Sequence, residues 1–303
     1  MELDFDLDKI GITEFGIGLE DDEGVQQFCC MTIDSDIQSA LQEMTIATWS
    51  AMNKLDRDPP LYDPSNKHES PEYVHLPIDD ELATQLRLLH FANNLPINSN
   101  ALADPDKVLC YFARLTDAEG RRLTALRRAT HFKGVLKNRM ILLQLITNAL
   151  QLIEEKVFRL DNDFDLLVDS TTLHIFRPNS FEFLGRLREA LLAAVPDNIR
   201  EIEGDLTFVD FTHVQDYAMK HTRAARYLAS IRSQKLTENI NESALKETCT
   251  EQGVNFTEVD GMVVVQDGHI MGFLEVLDRR RYRVNLVEDS PERYKATARR
   301  KIK

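Results

Sequence analysis

The sequence predicts an α+β fold, with a largely antiparallel sheet, flanking helices and a smaller C-terminal α+β module. Helix-like and strand-like segments follow one another irregularly, and several neighbouring strands are joined by short turns typical of hairpins. Apolar residues make up 43% of the 303 residues and charged residues 28%, a balance that can bury a core. We expect three regions: an acidic N-terminal α+β region (1–105), a β-rich central region that shares its sheet (106–200), and a basic C-terminal α+β module (201–303).

The N-terminal region begins with a predicted pair of strands, 12–19 and 25–33, around the acidic turn Glu20–Gly24. A helix follows and is capped by Asp34 or Ser35, whose side chains accept a hydrogen bond from the first turn. Its apolar face has helical spacing and comprises Ile37, Leu41, Met44, Thr48, Met52 and Leu55. A strand at 73–76 and a helix over 79–91 complete the region.

The central region is predicted to be rich in β-structure, and one stretch of it is ambiguous. Residues 139–156 fit a helix face, and they fit equally well two strands turned at Thr147-Asn148. The other strands are expected at 108–115, 122–128, 157–160, 165–169 and 173–176. A helix over 179–195 should end at Pro196, because proline lacks the N–H that a helix interior requires.

The C-terminal module should contain helices over 211–231, 242–252 and 269–278. Asp260-Gly261 predicts a hairpin turn, because both positions of such a turn need positive φ. A strand over 282–287 and a basic tail close the chain.

Charge is strongly segregated along the chain. Residues 1–110 hold 22 acidic and 6 basic residues, a net charge of −16, whereas residues 111–303 have a net charge of +2. Because electrostatic recognition is local, the overall pI of about 5.1 does not exclude nucleic acid as a partner.

Three basic segments, at 121–139, 220–235 and 278–303, are candidates for phosphate binding, since arginine and lysine neutralise phosphates and release counterions. Lys220, Arg223 and Tyr227 should share one side of a helix. Alternatively, each segment is a solvated face or pairs with the acidic region. The candidate DNA-binding residues are Arg121, Arg122, Arg127, Arg128, Lys133, Lys137, Arg139, Lys220, Arg223, Arg226, Arg279, Arg280, Arg281 and Arg283.

Other chemistries find little support, and we expect neither a cofactor nor a resident metal. Asp161-Asn-Asp163-Phe-Asp165 resembles the start of a calcium loop, but the later glycine and glutamate positions of that loop are Leu166 and Thr172. The histidines lack zinc-site spacing, and there is no phosphate-binding glycine loop. Four cysteines without a CxxC spacing predict reduced thiols, and neither a secretory signal nor a membrane span is apparent.

A metal-dependent nuclease is the enzymatic alternative. Its core would need an aspartate and then a Glu-x-Lys pattern, because the carboxylates hold the metal and the lysine polarises the attacking water. Asp106 with Glu154 and Lys156 fits this pattern loosely. The leading expectation is nevertheless a protein that acts by binding rather than by an enzymatic step.

One stretch of the sequence resembles a known family. KVFRLDNDFDLLVDSTTLHIFRPNSFEFL (156–184) is similar to the signature of the KwaB family of the Kiwa anti-phage defence system, and FLEVLDRRRY (273–282) is similar to that family's C-terminal helix and arginine cluster. The resemblance covers about 107–300, and it favours strands over a helix for 139–156.

The resemblance implies a cytoplasmic defence protein that binds double-stranded phage DNA as a homodimer. It would block replication or transcription together with a KwaA-like membrane protein, which would place it at the inner face of the membrane. A third hypothesis is that the protein is an adaptor, whose acidic first third binds basic cytoplasmic loops of a membrane partner.

Overall fold

The computed structural model of the chain divides into two compact units. Unit 1 comprises Met1–Tyr62 and Glu69–Gly185, and unit 2 comprises Asp63–His68 and Arg186–Lys303. The residues that the structure describes are 2–54, 59–68, 72–102, 104–129, 143–146, 149–152, 160–284 and 292–298. Within them, no helix is long and apolar enough to cross a membrane.

A seven-stranded antiparallel sheet forms the centre of unit 1, which confirms the predicted α+β class. Its strands are β1 (Ile10–Glu20), β2 (Gln26–Met31), β3 (Val74–Pro77), β4 (Val108–Asp117), β5 (Arg122–Arg128), β8 (Leu166–Val168) and β9 (Thr172–Ile175). They lie in the order β2-β1-β4-β5-β8-β9-β3, and every neighbouring pair is antiparallel.

The ambiguous stretch at 139–156 is a hairpin where the structure describes it. Strand β6 (Leu143–Ile146) pairs antiparallel with β7 (Ala149–Leu152), so the β interpretation is confirmed there. The predicted turn residues Thr147 and Asn148 lie outside the described residues, as does all of the predicted strand at 157–160 except its last residue.

Helix α1 (Ser35–Asn53) packs on one face of the sheet, and its predicted cap is correct. The Asp34 carboxylate accepts a hydrogen bond from the Ile37 N–H at 2.9 Å. The helix buries Leu41, Met44, Thr48, Trp49 and Met52 against inward-facing residues of β1, β4 and β5. Ile37, predicted to belong to this apolar face, is partly exposed, because it lies in the first turn where the helix begins at the edge of the core.

The glycines of β1 have a packing role. Gly16 and Gly18 lie directly across from Phe112 and Cys110 of β4. A Cβ atom on Gly16 would come within 2.1 Å of the Phe112 ring and 2.7 Å of the Cys29 carbonyl oxygen. Only a residue without a side chain leaves room for the Phe112 ring here.

The opposite face of the sheet carries α2 (Thr84–Phe91), which is preceded by a short 3-10 turn at Glu81–Ala83. His90 of this helix is buried and its Nδ1 lies 3.0 Å from the Thr124 hydroxyl of β5. Burial, with a smaller contribution from Arg122, lowers the pKa of His90 to about 4. A neutral imidazole therefore belongs to the folded state of unit 1.

Two long helices predicted for the second half of the chain are wrong in length. Residues 179–195 form α3 (Pro178–Leu184) and α4 (Leu187–Ala193), separated at Arg186, which has a φ of 50°. Pro196 does not end a helix: it lies in the first turn of α5 (Val195–Asp205), where its missing N–H has no partner to lose. The predicted helix 211–231 is likewise two helices, α6 (Thr212–Ala218) and α7 (Thr222–Ser233).

Unit 2 is the smaller α+β module that the sequence predicts. Its helices are α4 to α7 and, further along the chain, α8 (Glu242–Glu251) and α9 (Ile270–Leu277). Strands β11 (Phe256–Val259) and β12 (Met262–Val265) form the predicted hairpin, with positive φ at Asp260 and Gly261, and β10 (Val209–Asp210) pairs parallel to β12. Strands β13 (Arg281–Val284) and β14 (Glu292–Lys295) form a separate two-stranded antiparallel ribbon.

Candidate nucleic-acid interface

Arg127, a candidate from the first basic segment, is bound by the aspartates of the DNDFD stretch. Its Nε lies 2.9 Å from Asp161, and its Nη1 lies 3.0 Å from Asp163 and 2.6 Å from Asp165. Arg177 bonds the same Asp163 and Asp165 at 2.6 and 2.9 Å. Burial opposes the charge of Arg127, but Asp165 and the other two aspartates hold its pKa above the usual value. The stretch that resembles a calcium loop therefore binds guanidinium groups.

The other described cations of this segment also have partners inside unit 1. Arg121 bonds Asp117 at 2.8 Å, and Arg122 donates to two backbone carbonyls at the end of α2 at 2.8 and 2.9 Å. The Arg128 guanidinium lies 3.8 Å from the centre of the Phe183 ring. These contacts favour the alternative of internal pairing over a free phosphate-binding face. The segment's remaining candidates lie outside the described residues: Lys133, Lys137 and Arg139.

The second basic segment is only partly helical. Helix α6 ends at Ala218, so Lys220 lies in the link between α6 and α7. Lys220 is exposed, but it does not share a helix face with Arg223 and Tyr227 as the sequence predicted. Arg223 and Tyr227 do share a side of α7: an Nη2–hydroxyl distance of 3.4 Å joins them, and the Arg223 side chain is 64% exposed. Arg226 donates to the Pro64 carbonyl at 3.1 Å.

Arg280, at the centre of the arginine triplet, is fully buried in unit 2. Its guanidinium donates to the Asp278 carboxylate, to the Thr297 carbonyl at 2.6 Å, and to the side chains of Ser65 and Asn66 at 2.6 Å each. The candidate role of Arg280 in DNA binding is corrected here, since no N–H that could grip a phosphate faces solvent. Its role is to hold the segment Asp63–His68 in unit 2.

Glu275 of α9 organises the neighbouring cations. Its side chain is buried, yet Arg281 Nε lies 3.0 Å from one carboxylate oxygen, and Lys295 Nζ and Arg223 Nη2 approach the other, the latter at 4.0 Å. One buried carboxylate thus gathers three basic side chains from α7, β13 and β14. Three cations around one carboxylate leave a surplus of positive charge around Glu275.

The β13–β14 ribbon extends this positive charge. Arg281 pairs across the ribbon with Lys295, and Arg283 with Arg293, so strand alternation puts all four on one face. We call Arg223, Arg281, Arg283, Arg293 and Lys295 the ribbon surface. Arg283 also approaches Glu251 at 3.4 Å and its side chain is 41% exposed. With Glu275 and Glu251 as counter-charges, these five cations leave a net charge of +3.

The ribbon surface therefore includes some, but not all, of the DNA-binding candidates that the sequence predicted. Arg223, Arg281 and Arg283 belong to it, whereas Arg293 and Lys295 were missed because the residues after the predicted strand 282–287 were expected to form a basic tail rather than a partner strand. The alternation of charged with aromatic or apolar residues in R-Y-R-V and E-R-Y-K was the sequence pattern that could have predicted two paired strands. Arg279 is exposed beside the surface, at a φ of 54°, with a long contact of 3.4 Å to the Leu236 carbonyl.

Other chemistry finds no assembled site in the part of the chain that the structure describes. No group of three metal-ligating side chains occurs there. Of the nuclease candidates, Asp106 lies in a short 3-10 turn at Pro105–Lys107, and Glu154 and Lys156 fall outside the described residues. All four cysteines are buried and unpaired by disulfides, and burial raises the pKa of the Cys110 thiol to about 12, so these thiols are poor nucleophiles.

A buried polar chain in unit 1 was not foreseen from the sequence. The Tyr73 hydroxyl lies 3.0 Å from His174 Nδ1, and His174 Nε2 lies 3.0 Å from Asp169. Despite its burial, Asp169 has a pKa lowered to about 2, because His174 and the N–H groups of Thr171 and Thr172 bond its carboxylate. All three side chains are buried, and the bonds that Asp169 accepts from Thr171 and Thr172 order the turn between β8 and β9.

The fold and the ribbon surface together define an α+β protein with a candidate anion-binding surface. The chain belongs to the Kiwa protein KwaB-like family, whose model matches residues 106–286. The match contains the signature stretch 156–184, which confirms the resemblance, and membership makes this protein a component of Kiwa anti-phage defence. Comparison with curated proteins gives no match, and comparison with solved structures gives none either.

Proposed function

We propose that the protein defends the cell by binding phage DNA through its backbone phosphates, with the ribbon surface as the contact. The observation that carries the proposal is the net charge of +3 of the ribbon surface, to which one face of the two-stranded ribbon contributes four cations and α7 contributes Arg223. Family membership supplies the biological setting. An antiparallel ribbon of this kind has the dimensions that a DNA major groove admits.

Binding of this type needs no enzymatic step. Arg283 and Arg293 would contact phosphates directly, because both residues are exposed although Arg283 also approaches Glu251 at 3.4 Å. Arg281 and Lys295, held by Glu275, would keep the ribbon in place and add charge. Contacts to phosphates carry no sequence information, so the protein would cover many sites on phage DNA and obstruct polymerases there.

Charge reversal of the two ribbon arginines tests the proposal. We expect R283E/R293E to weaken binding to a labelled DNA duplex of arbitrary sequence by at least tenfold at low salt. The matched control is R188E/R200E, which changes the net charge equally at two exposed positions of α4 and α5. Equal loss in both variants, or no duplex binding by the wild type, would contradict the proposal. Plasmid incubated with the protein and Mg²⁺ should stay intact, and cleavage would favour the nuclease alternative.

We also propose that unit 1 docks to a basic segment of a membrane-spanning partner similar to KwaA, which would bring the protein to the inner face of the membrane. An open cavity of about 490 Å³ near the N-terminus supports this. Its lining combines Trp49 and apolar side chains with the acidic residues Glu2, Asp6 and Asp8, of which Asp6 is already paired with Lys9 at 3.0 Å. Arg121, the basic residue of the lining, is already bonded to Asp117 at 2.8 Å. Such a cavity is complementary to a lysine or arginine side chain.

Trp49 is the single tryptophan of the chain, so its fluorescence reports on this cavity. We expect a peptide rich in lysine and arginine to change Trp49 emission in a saturable way, and an acidic peptide of the same length to have no effect. The variant E2K/D8K should lose the response. A response to both peptides alike would count against the docking proposal.

A homodimer would place two ribbon surfaces on one assembly and raise the avidity for DNA. Analytical ultracentrifugation should then give a mass near twice the monomer mass of 34.8 kDa. A single species at the monomer mass would remove this part of the proposal.

A further inference from the structure

The face of the β13–β14 ribbon opposite to the basic side chains carries two tyrosines. Tyr282 and Tyr294 lie directly across from each other, and their ring centres are 5.7 Å apart with an angle of 19° between the ring planes. They are 47% and 44% exposed. Each ring therefore covers part of its neighbour and leaves much of its remaining surface to water.

A cross-strand aromatic pair has an ordinary explanation, because such pairs stabilise sheets. That explanation accounts for the contact between the rings but not for their position. Aromatic rings are usually the part of a small sheet that is turned toward a core. Here the order is reversed: the charged side chains face the body of unit 2, where Glu275 and Glu251 hold them, and the rings face solvent.

The surroundings of the rings indicate what could cover them. Arg283 and Lys295 alternate with the tyrosines along the two strands; their side chains leave the ribbon on its other face and remain 41% exposed. On the tyrosine face, Glu292 accepts a hydrogen bond from the Tyr294 hydroxyl and leaves both ring faces uncovered by charge. Arg279 is exposed just before β13. A ligand that offers flat apolar surfaces and negative charges at short, regular intervals matches this pattern, and a single strand of nucleic acid has both.

We infer that Tyr282 and Tyr294 form a stacking platform for unpaired bases, so that the ribbon takes single-stranded DNA. The inference rests on the proposed function and names the form of DNA that this site prefers. Bases extend the tyrosine stack from its open side, while the phosphates pass along the edges of the narrow ribbon, where the exposed parts of Arg283 and Lys295 can meet them. A closed duplex hides its base faces, so it uses the cations alone.

An oligonucleotide without bases separates stacking from charge. The wild-type protein is titrated with a fluorescently labelled thymidine 16-mer and with an abasic 16-mer that has the same number of phosphates. We expect the thymidine oligonucleotide to bind at least tenfold more tightly, which corresponds to about 1.4 kcal/mol. Equal affinities would overturn the inference without the use of any variant.

Two double variants assign the preference to the tyrosines. Y282L/Y294L should bind both oligonucleotides with the affinity that the wild type has for the abasic one. Y282F/Y294F keeps the rings and should keep the tenfold preference. Full preference in the leucine variant would place base contacts elsewhere and refute the platform.

Duplex binding distinguishes this inference from the proposed function. If the duplex binds with a steep salt dependence but bases make no difference to single strands, the stacking platform is wrong and the phosphate-binding surface stands. If neither duplex nor single strand binds, both are wrong. Retention of duplex affinity by Y282L/Y294L also verifies that the ribbon of that variant is folded.

Discussion

Replacing the buried Arg280 should unfold unit 2 more effectively than any other change in the arginine triplet. In Arg280→Ala, the Asp278 carboxylate stays buried without its guanidinium partner, and Ser65 and Asn66 each lose a charged donor at 2.6 Å. Removing one member of a buried ion pair costs about 3–5 kcal/mol, because the remaining charge is left uncompensated. The exposed neighbour Arg279 provides the control, since Arg279→Ala should change stability by about 0.5 kcal/mol or less.

Urea unfolding followed by circular dichroism measures this difference. With a denaturant slope of roughly 1.5 kcal/mol per molar urea, a loss of about 4 kcal/mol lowers the midpoint of the affected transition by roughly 2 to 3 M. Fluorescence of Trp49, which lies in unit 1, follows that unit separately. A loss below about 1 kcal/mol in Arg280→Ala, or an equal loss in Arg279→Ala, would refute the assignment of Arg280 to the core of unit 2.

Three further predictions concern unit 1 and the buried thiols. Because the pKa of His90 is about 4 when folded and near 6.5 when unfolded, the unfolded state binds the proton first. Stability should then fall by about 3 kcal/mol between pH 6.5 and pH 4, a decline that urea unfolding of His90→Gln should not show. Gly16→Ala should lower the melting temperature strongly because of the clash with Phe112, whereas Gly204→Ala, with open space around the new Cβ, should not. A thiol reagent should modify the cysteines only after denaturation, and reaction in the native state would contradict their burial.

The sequence was informative wherever a local signal sets the structure. Asp34 caps α1 as its side chain predicts, and Asp260-Gly261 turns the hairpin because both residues accept positive φ. The antiparallel sheet followed from strands joined by short turns. Where the backbone changes direction without such a signal, the prediction was wrong: Arg186 adopts a positive φ inside a helical pattern and divides it in two.

The candidate site was less predictable, because a count of charges does not reveal their partners. Arg127 and Arg280 look alike in the sequence as members of basic runs, yet the first is bound by three aspartates and the second is fully buried. Conversely, Arg293 and Lys295 gain importance only through the antiparallel pairing of β14 with β13, which places their side chains beside Arg281 and Arg283. Tertiary contacts decide which cations remain for a ligand.

The salt dependence of duplex affinity tests the central claim most directly. Each phosphate contact adds about −0.9 to the slope of log affinity against log salt concentration. If Arg283 and Arg293 each contact one phosphate, R283E/R293E should bind with a slope less negative than the wild-type slope by about 1.8, while R188E/R200E keeps the wild-type slope. Identical slopes for the wild type and R283E/R293E would contradict the claim that the ribbon surface binds the DNA backbone.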